Sequence, residues 1–318
     1  MSTKSNNQGR AFEYACICAL KETISKIRPV SIIKNSSLIA AKRAWDTIPT
    51  HNQNLYKISA ISATASILKS EPRIIESNND VLELSIQTDK QGTLGDVRDI
   101  LIIRKSLTWE IGLSVKHNHF AVKHSRLSNK LDFGASWYNI PCSEQYWKDV
   151  NPVFEYLNKE KQKGSFFKDL PNKEDDVYIP LLNAFMSEIS RQYTQDKNLP
   201  RKMVEYLLGK FDFYKLVSID KKQLTQIQAF NLHGTLNQSG TRQKPEIIIP
   251  SVLLPTRIVK MDFVPERNNT IEMYMDAGWQ FTFRIHNAEK KVVPSLKFDI
   301  QIVGMPTTLL TINCIWEQ

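Results

Sequence analysis

Residues 1 to about 140 predict an α/β fold with a mixed central sheet flanked by helices. Three observations carry that expectation: an amphipathic helix near the N-terminus, three short apolar strands separated by turns, and a basic stretch of helical length after the third strand. The rest of the chain, 141–318, predicts a helical and strand-rich C-terminal elaboration.

Phe12, Cys16, Ala19, Leu20, Ile24 and Ile27 recur at spacings of three and four, which predicts a helix over 8–27, stopped by Pro29. A second helical region is expected over 37–68, where the small residues Ala40, Ala60, Ala63 and Ala65 allow close packing, with Pro72 at its end. The texture changes at Val81. Val81, Leu82, Leu84 and Ile86 read as a strand, 91–95 as a turn, 100–104 as a second strand and 111–116 as a third, followed by a helix over 120–129. Residues 142–215 read as mainly helical, most clearly at 150–161 and 179–192. Near the C-terminus, Trp279, Phe281, Phe283 and Ile285 alternate with Gln280, Thr282, Arg284 and His286, placing the two sets on opposite faces of a strand.

With 318 residues, 42% of them apolar, the chain can bury a substantial core. The apolar runs at 100–103 and 247–249 are far too short to cross a bilayer, so no membrane association is expected. Residues 1–10 lack the apolar stretch of a secretory signal, and Cys16, Cys18, Cys142 and Cys314 show no disulfide framework, so the expected compartment is the cytoplasm. The net charge of +9 favours a polyanionic partner without identifying one. Its distribution says more: 114–131 holds Lys116, Lys123, Arg126, Lys130 and three histidines with no acid, and 221–245 is also acid-free. Either stretch can be a solvated basic face or a phosphate-contacting surface.

Asp99 opens an apolar strand, and Lys116 closes another 17 residues later. Adjacent strand ends can bring the pair together, and phosphodiester hydrolysis uses this pairing: a carboxylate to hold Mg²⁺ against the scissile phosphate, and an ammonium to orient water and offset developing charge. Taken alone, an Asp and a Lys at this spacing fit a surface ion pair better.

Longer stretches sharpen the reading. Residues 7–14 (NQGRAFEY), 95–99 (GDVRD), 114–119 (SVKHNH), 121–128 (AVKHSRLS) and 283–288 (FRIHNA) resemble the HaeIII family of type II restriction endonucleases, and the likeness spans most of the chain. The resemblance implies a restriction-endonuclease-like PD-(D/E)xK core, Mg²⁺ dependence, and blunt cleavage of GGCC in bacterial restriction-modification. Arg98-Asp99 then stands where the wider nuclease group has Pro-Asp, and Lys116 at its lysine. The departure is Ser114, which occupies the position of the second acid.

A serine cannot act as a charged Mg²⁺ ligand, so either another acid has migrated into the site or the metal is held with fewer protein charges. Glu13, on the first helix, is the preferred candidate for both the catalytic and the metal-binding set. Glu110 shares the strand but lies about 13 Å along it, at roughly 3.3 Å per residue; Asp132 follows the basic stretch and can fold back. Asn118, sharing the Lys116 face by alternation, is expected at the scissile phosphate. Cys16 and Cys18 lack a partner pair at zinc spacing.

For base reading, arginine is the commonest partner of guanine. Arg284 is the first candidate, with Gln280 beside it and Lys297 on the following strand, 295–302. Lys123, Arg126, Lys130, Arg242 and Lys244 are expected at phosphates. The partner is double-stranded DNA, a palindromic target favours a homodimer, and a cognate DNA methyltransferase is implied functionally. Two other functions also fit: a structure-selective or repair nuclease of the same fold, and a catalytically lapsed DNA-binding protein. The expected division is a catalytic core over 1–140 and a DNA-embracing region over 141–318.

Overall fold

The structure, a computed structural model of the 318-residue chain, describes residues 3–76, 80–88, 95–119 and 121–317. These fall into two compact units, one assembled from 1–120, 209–253 and 307–318, the other from 121–208 and 254–306. The division is therefore interleaved, not a single boundary at 140. Strands from the distant 213–230 and 311–315 complete the first unit's sheet, whereas 121–127 pairs into the second.

In the first unit α1 (Thr3–Ile24) buries Ala11, Phe12, Ala15, Cys16, Ile17, Ala19, Leu20 and Ile24 against the sheet and its neighbouring helices. The expected second helix is two. α2 (Ser36–Thr47) starts at the Asn35 side chain, which accepts the Leu38 N–H at 2.8 Å, and Pro49 separates it from α3 (Thr50–Ser70) because proline supplies no N–H to continue the helix. Ser59, Ala60 and Ala63 are buried on α3, where their small side chains permit close approach.

The sheet runs β1 (Val30–Ile32), β2 (Leu82–Ile86), β3 (Ile100–Arg104), β4 (Trp109–His117), β6 (Phe213–Ile219), β7 (Leu224–Phe230), β12 (Thr311–Ile315) in spatial order. β1 with β2 and β4 with β6 are parallel; the other neighbours are antiparallel. Residues 213–215, expected at the tail of a helical region, thus begin a buried inner strand. Ile111, Leu113 and Val115 of β4 and Tyr214 and Leu216 of β6 join the α1 core. Most of the expected turn at 91–95 lies outside the described residues.

The second unit holds an antiparallel sheet in the order β5 (Ala121–Leu127), β11 (Leu296–Gly304), β10 (Gln280–His286), β9 (Thr270–Met275), β8 (Ile258–Phe263). The helix expected over 120–129 is strand β5. Pairing along β11 from Leu127↔Leu296 to Ala121↔Gln301 makes it the edge strand and satisfies one side of its backbone, and the segment has no apolar stripe of helical period to reward the alternative. Helices Phe133–Tyr138, Glu144–Gln162, Ile179–Gln195 and Leu199–Leu208 accompany this sheet. Phe133, Trp137, Phe185, Phe283 and Phe298 make its aromatic core, with ring centroids between 4.9 and 6.2 Å apart.

Candidate active site

Asp99 is fixed by its backbone before its side chain acts. Its N–H donates to the Leu113 carbonyl at 2.7 Å and its carbonyl accepts the Gln87 N–H at 2.9 Å, so the residue is sewn into the sheet just ahead of β3. The side chain then leans onto β4. Oδ2 accepts the Val115 N–H at 2.6 Å, the Lys116 ammonium at 2.9 Å and the Ser114 hydroxyl at 3.3 Å. All three donors reach one oxygen, leaving Oδ1 without a donor among the described residues. The two side chains are 25% and 28% exposed, open enough to meet a substrate.

The Asp99 and Lys116 pairing expected from the sequence is thus present as an ion pair at adjacent strand ends. Burial works against the charged Lys116, but the Asp99 carboxylate, through charge and hydrogen bond, and then Glu13 hold its pKa above the usual lysine value. Glu13 lies half-buried on α1, and its charge also acts on Cys16, whose thiol is pushed far up by burial first, then by Glu13 and Asp99. Glu13, Asp99 and Lys116 therefore share one electrostatic neighbourhood.

The rival acids have other partners. Glu110 accepts from Arg98 Nη2 at 2.8 Å. Asp132 caps helix Phe133–Tyr138, accepting the Ala135 N–H at 2.8 Å, and binds the Cys142 N–H at 3.0 Å. Among the described residues no group of three His, Cys, Asp or Glu side chains stands ready for a metal. The acids whose charge reaches Lys116 are Asp99 and Glu13, and carboxylate oxygens are ligands of the type Mg²⁺ takes, an ion that keeps several waters and fills the rest with substrate oxygens.

Several residues to which the sequence assigns no role brace this site. Arg98 donates to both oxygens of Asp96 at 2.9 and 2.8 Å, and its guanidinium lies 4.0 Å over the Phe211 ring. It crosses Gly112 so closely that a Cβ there would fall 2.0 Å from Arg98 Cδ, which only glycine permits. Beyond Lys116, His117 bonds Asp220 at 2.8 Å through Nε2 and the Tyr56 hydroxyl at 3.2 Å through Nδ1. Tyr56 also packs on Phe12, with ring centroids 5.5 Å apart, tying the neighbour of Glu13 to the neighbour of Lys116. Lys215, 3% exposed on β6, was overlooked too; its signal was a lysine inside the apolar run Phe213-Tyr214-Lys215-Leu216-Val217.

Asn118 departs from expectation. Its backbone is left-handed (φ 51), which breaks the alternation that would place it beside Lys116, and its amide donates to Asp220 at 2.9 Å while its Oδ1 accepts the Asp220 N–H at 3.1 Å. It closes the strand end instead of lining the Lys116 face.

In the second unit β10 alternates as expected: Phe281, Phe283 and Ile285 are fully buried while Arg284 is exposed. Register sets Arg284 opposite Asp299 and His286 opposite Lys297, which in turn pairs with Arg126, so these polar residues share one sheet face with Thr282 and Gln280 along the strand. Arg284 donates to Asp299 at 2.9 Å. Lys123 is paired with buried Ile300 and points to the inner face: its ammonium sits 3.5 Å from the Tyr206 ring centroid and donates to the Tyr206 carbonyl at 2.8 Å. Burial pushes its pKa down to about 8. That geometry makes Lys123 a packing residue rather than the phosphate contact expected. Lys130 is exposed, as are Arg242 and Lys244 on a first-unit loop held by Glu76, which accepts the Arg242 N–H at 3.0 Å.

Comparison with known proteins gives a concordant result. The family profile described as HaeIII restriction endonuclease matches residues 9–306. The chain is 49% identical to the type II restriction enzyme HaeIII of Haemophilus aegyptius over 319 aligned positions, covering the whole of both chains. No solved structure matches. No helix among the described residues is long and apolar enough to cross a membrane.

Proposed function

We propose, from the premise that the chain belongs to the HaeIII restriction endonuclease family and is a site-specific deoxyribonuclease, that Asp99, Lys116 and Glu13 are the residues with which it cuts double-stranded DNA. The target is GGCC, cut to blunt ends, and the cofactor is Mg²⁺. The observation that supports this most strongly is the Asp99 carboxylate, whose Oδ2 takes three donors from β4, with the charges of Asp99 and Glu13 both acting on Lys116.

Asp99 and Glu13 are the carboxylates that would hold Mg²⁺, and the ion would supply Lewis-acid polarisation of the phosphoryl oxygens. Lys116 orients the attacking water and offsets the charge that develops on the phosphate. The Val115 N–H and Ser114 hydroxyl keep Asp99 from rotating away. Water adds to phosphorus as the bond to the leaving sugar oxygen breaks; the attacking water gives up a proton to solvent and the sugar oxygen takes one from solvent, leaving a phosphate monoester and a free hydroxyl.

Arg284, Gln280 and Lys297 read bases from the exposed face of β10 and β11; Arg126, Lys130, Arg242 and Lys244 bind phosphates. A palindromic site calls for two symmetry-related chains, and a companion methyltransferase protects host DNA in the cytoplasm. Digestion of plasmid DNA with and without Mg²⁺ tests the reading: discrete blunt fragments ending at GGCC are expected only with the ion, and random nicking or intact plasmid would overturn it.

A further inference from the structure

Strands β10 and β11 together contain one acidic residue, Asp299, set among the cations Arg284, His286 and Lys297. The antiparallel register places it directly opposite Arg284. The pairs on either side, Phe283 with Ile300 and Ile285 with Phe298, are fully buried on the other face. A slip of one residue would turn Asp299 into that aromatic core, so its place beside Arg284 is fixed by packing. Its side chain is 9% exposed against 51% for Arg284, and Oδ2 accepts from Arg284 Nη2 at 2.9 Å. The carboxylate lies against the sheet while the guanidinium it holds faces outward. Burial pulls the Lys297 amine below its ordinary pKa, with the Asp299 charge opposing and the Arg126 charge adding to the fall, so these charges act on one another across the face.

Aspartate is disfavoured in strands, and a carboxylate taken out of water costs free energy unless it is paired. The fold alone has little use for one here. An exposed arginine, by contrast, samples many rotamers and must be immobilised before it can read a base. The bond to Asp299 uses one donor of the guanidinium fork and leaves the pair that a two-pronged contact with guanine O6 and N7 requires. The same negative charge disfavours a phosphate at this place. We propose that Asp299 is a positioning residue for sequence discrimination, which holds the Arg284 guanidinium ready for a guanine edge and keeps it off the DNA backbone. The proposal rests on the reading of Arg284 as a base contact.

Equilibrium binding of the full chain to a GGCC duplex and to single-base variants, with Ca²⁺ present and over a range of salt, tests this, with thermal melts to confirm folding. Asp299→Ala should lower the affinity ratio between GGCC and its variants by about tenfold. Binding to the variant duplexes should be kept or tightened, and their slope of log K against log salt should steepen by about 0.9 as Arg284 turns to a phosphate. Asp299→Asn keeps the shape without the charge, should move both quantities in the same direction, and carries the test if the alanine variant does not fold. Arg284→Ala should lose the discrimination by itself, and adding Asp299→Ala to it should cost no more, because the acid acts through the arginine. Unchanged discrimination in both Asp299 variants while Arg284→Ala loses it would overturn the proposal and leave the reading of Arg284 standing. Equal weakening on every duplex in the Asp299 variants would also overturn it, by showing that the pair serves the fold alone. Full discrimination in Arg284→Ala would instead bring down the base contact on which the proposal rests.

Discussion

The Lys116 ammonium and the backbone N–H of Val115 converge on the same oxygen of Asp99, at 2.9 and 2.6 Å. Neither Asp99 nor Lys116 contributes an apolar side chain to the core, so each can be truncated without opening a cavity. Asp99→Ala and Lys116→Ala should lower cleavage by roughly 100-fold or more, while still shifting a labelled GGCC duplex in a gel run with Ca²⁺. Cutting at near wild-type rate by either variant would mean that the site lies elsewhere.

Glu13→Gln should abolish cleavage and leave the melting temperature of the free protein unchanged or slightly raised, because removing one of two neighbouring carboxylates relieves repulsion when no cation is bound. Glu110→Gln and Asp132→Asn should retain most activity, since these acids serve Arg98 and a helix cap. Asp132→Asn should lower stability by about 1 kcal/mol at most, as asparagine remains a good cap. Full activity in Glu13→Gln would pass the role to another acid.

Phosphate and base contacts separate by salt dependence. Arg126→Gln and Lys130→Gln should weaken binding to every duplex, each flattening the slope of log K against log salt by about 0.9. Arg284→Ala should instead lose roughly 1 to 3 kcal/mol of discrimination between GGCC and single-base variants. Uniform weakening on all sequences would make Arg284 a phosphate contact. Lys123→Met should leave the salt slope unchanged, because that ammonium is already spent on Tyr206.

Stability should fall between pH 5 and pH 8 in part through Glu71. This carboxyl is fully buried, accepts the Tyr214 hydroxyl and the Asn237 N–H, both at 2.6 Å, and is pushed by burial up to about 7 from an ordinary 4.5. A carboxyl whose folded pKa is raised contributes stability that is complete below the unfolded value and lost as pH rises through the folded one. The loss is on the order of 3 kcal/mol at one unit per 1.36 kcal/mol. Glu71→Gln, which mimics the protonated form, should raise stability in urea titrations at pH 8 by more than at pH 4.5. An equal effect at both would show that Glu71 does not titrate in this window.

How far the fold was legible depended on whether a signal was local. The helix at α1 announces itself by its period and by Pro29 beyond its end, the strands β2, β3 and β4 by short apolar runs set between polar turn residues, and Asp99 and Lys116 sit at strand ends that local pattern locates. Strand β5 was misread because seven mostly polar residues carry no period of their own; its pairing with β11 joins residues about 170 positions away, such as Leu127 with Leu296. Lys215 was missed for the same reason, since nothing nearby in the chain reveals that Ser114 lies opposite it. Arg98 was visible as a departure at the position before Asp99, but its contact with Gly112 required knowing that β3 and β4 pair antiparallel.

The left-handed Asn118, locked to Asp220 by two hydrogen bonds, has a consequence for how this chain can diverge. It is a fixed full stop one residue beyond His117, and Arg98, lying over Gly112, fixes the same strand nearer its beginning. Between those two points the residue count cannot drift: a single insertion or deletion would turn Lys116 to the opposite side of the strand and bring Val115 or His117 to the Asp99 carboxylate. Relatives that cut DNA in this way should therefore vary freely in length elsewhere while keeping the six-residue step from Gly112 to Asn118 invariant.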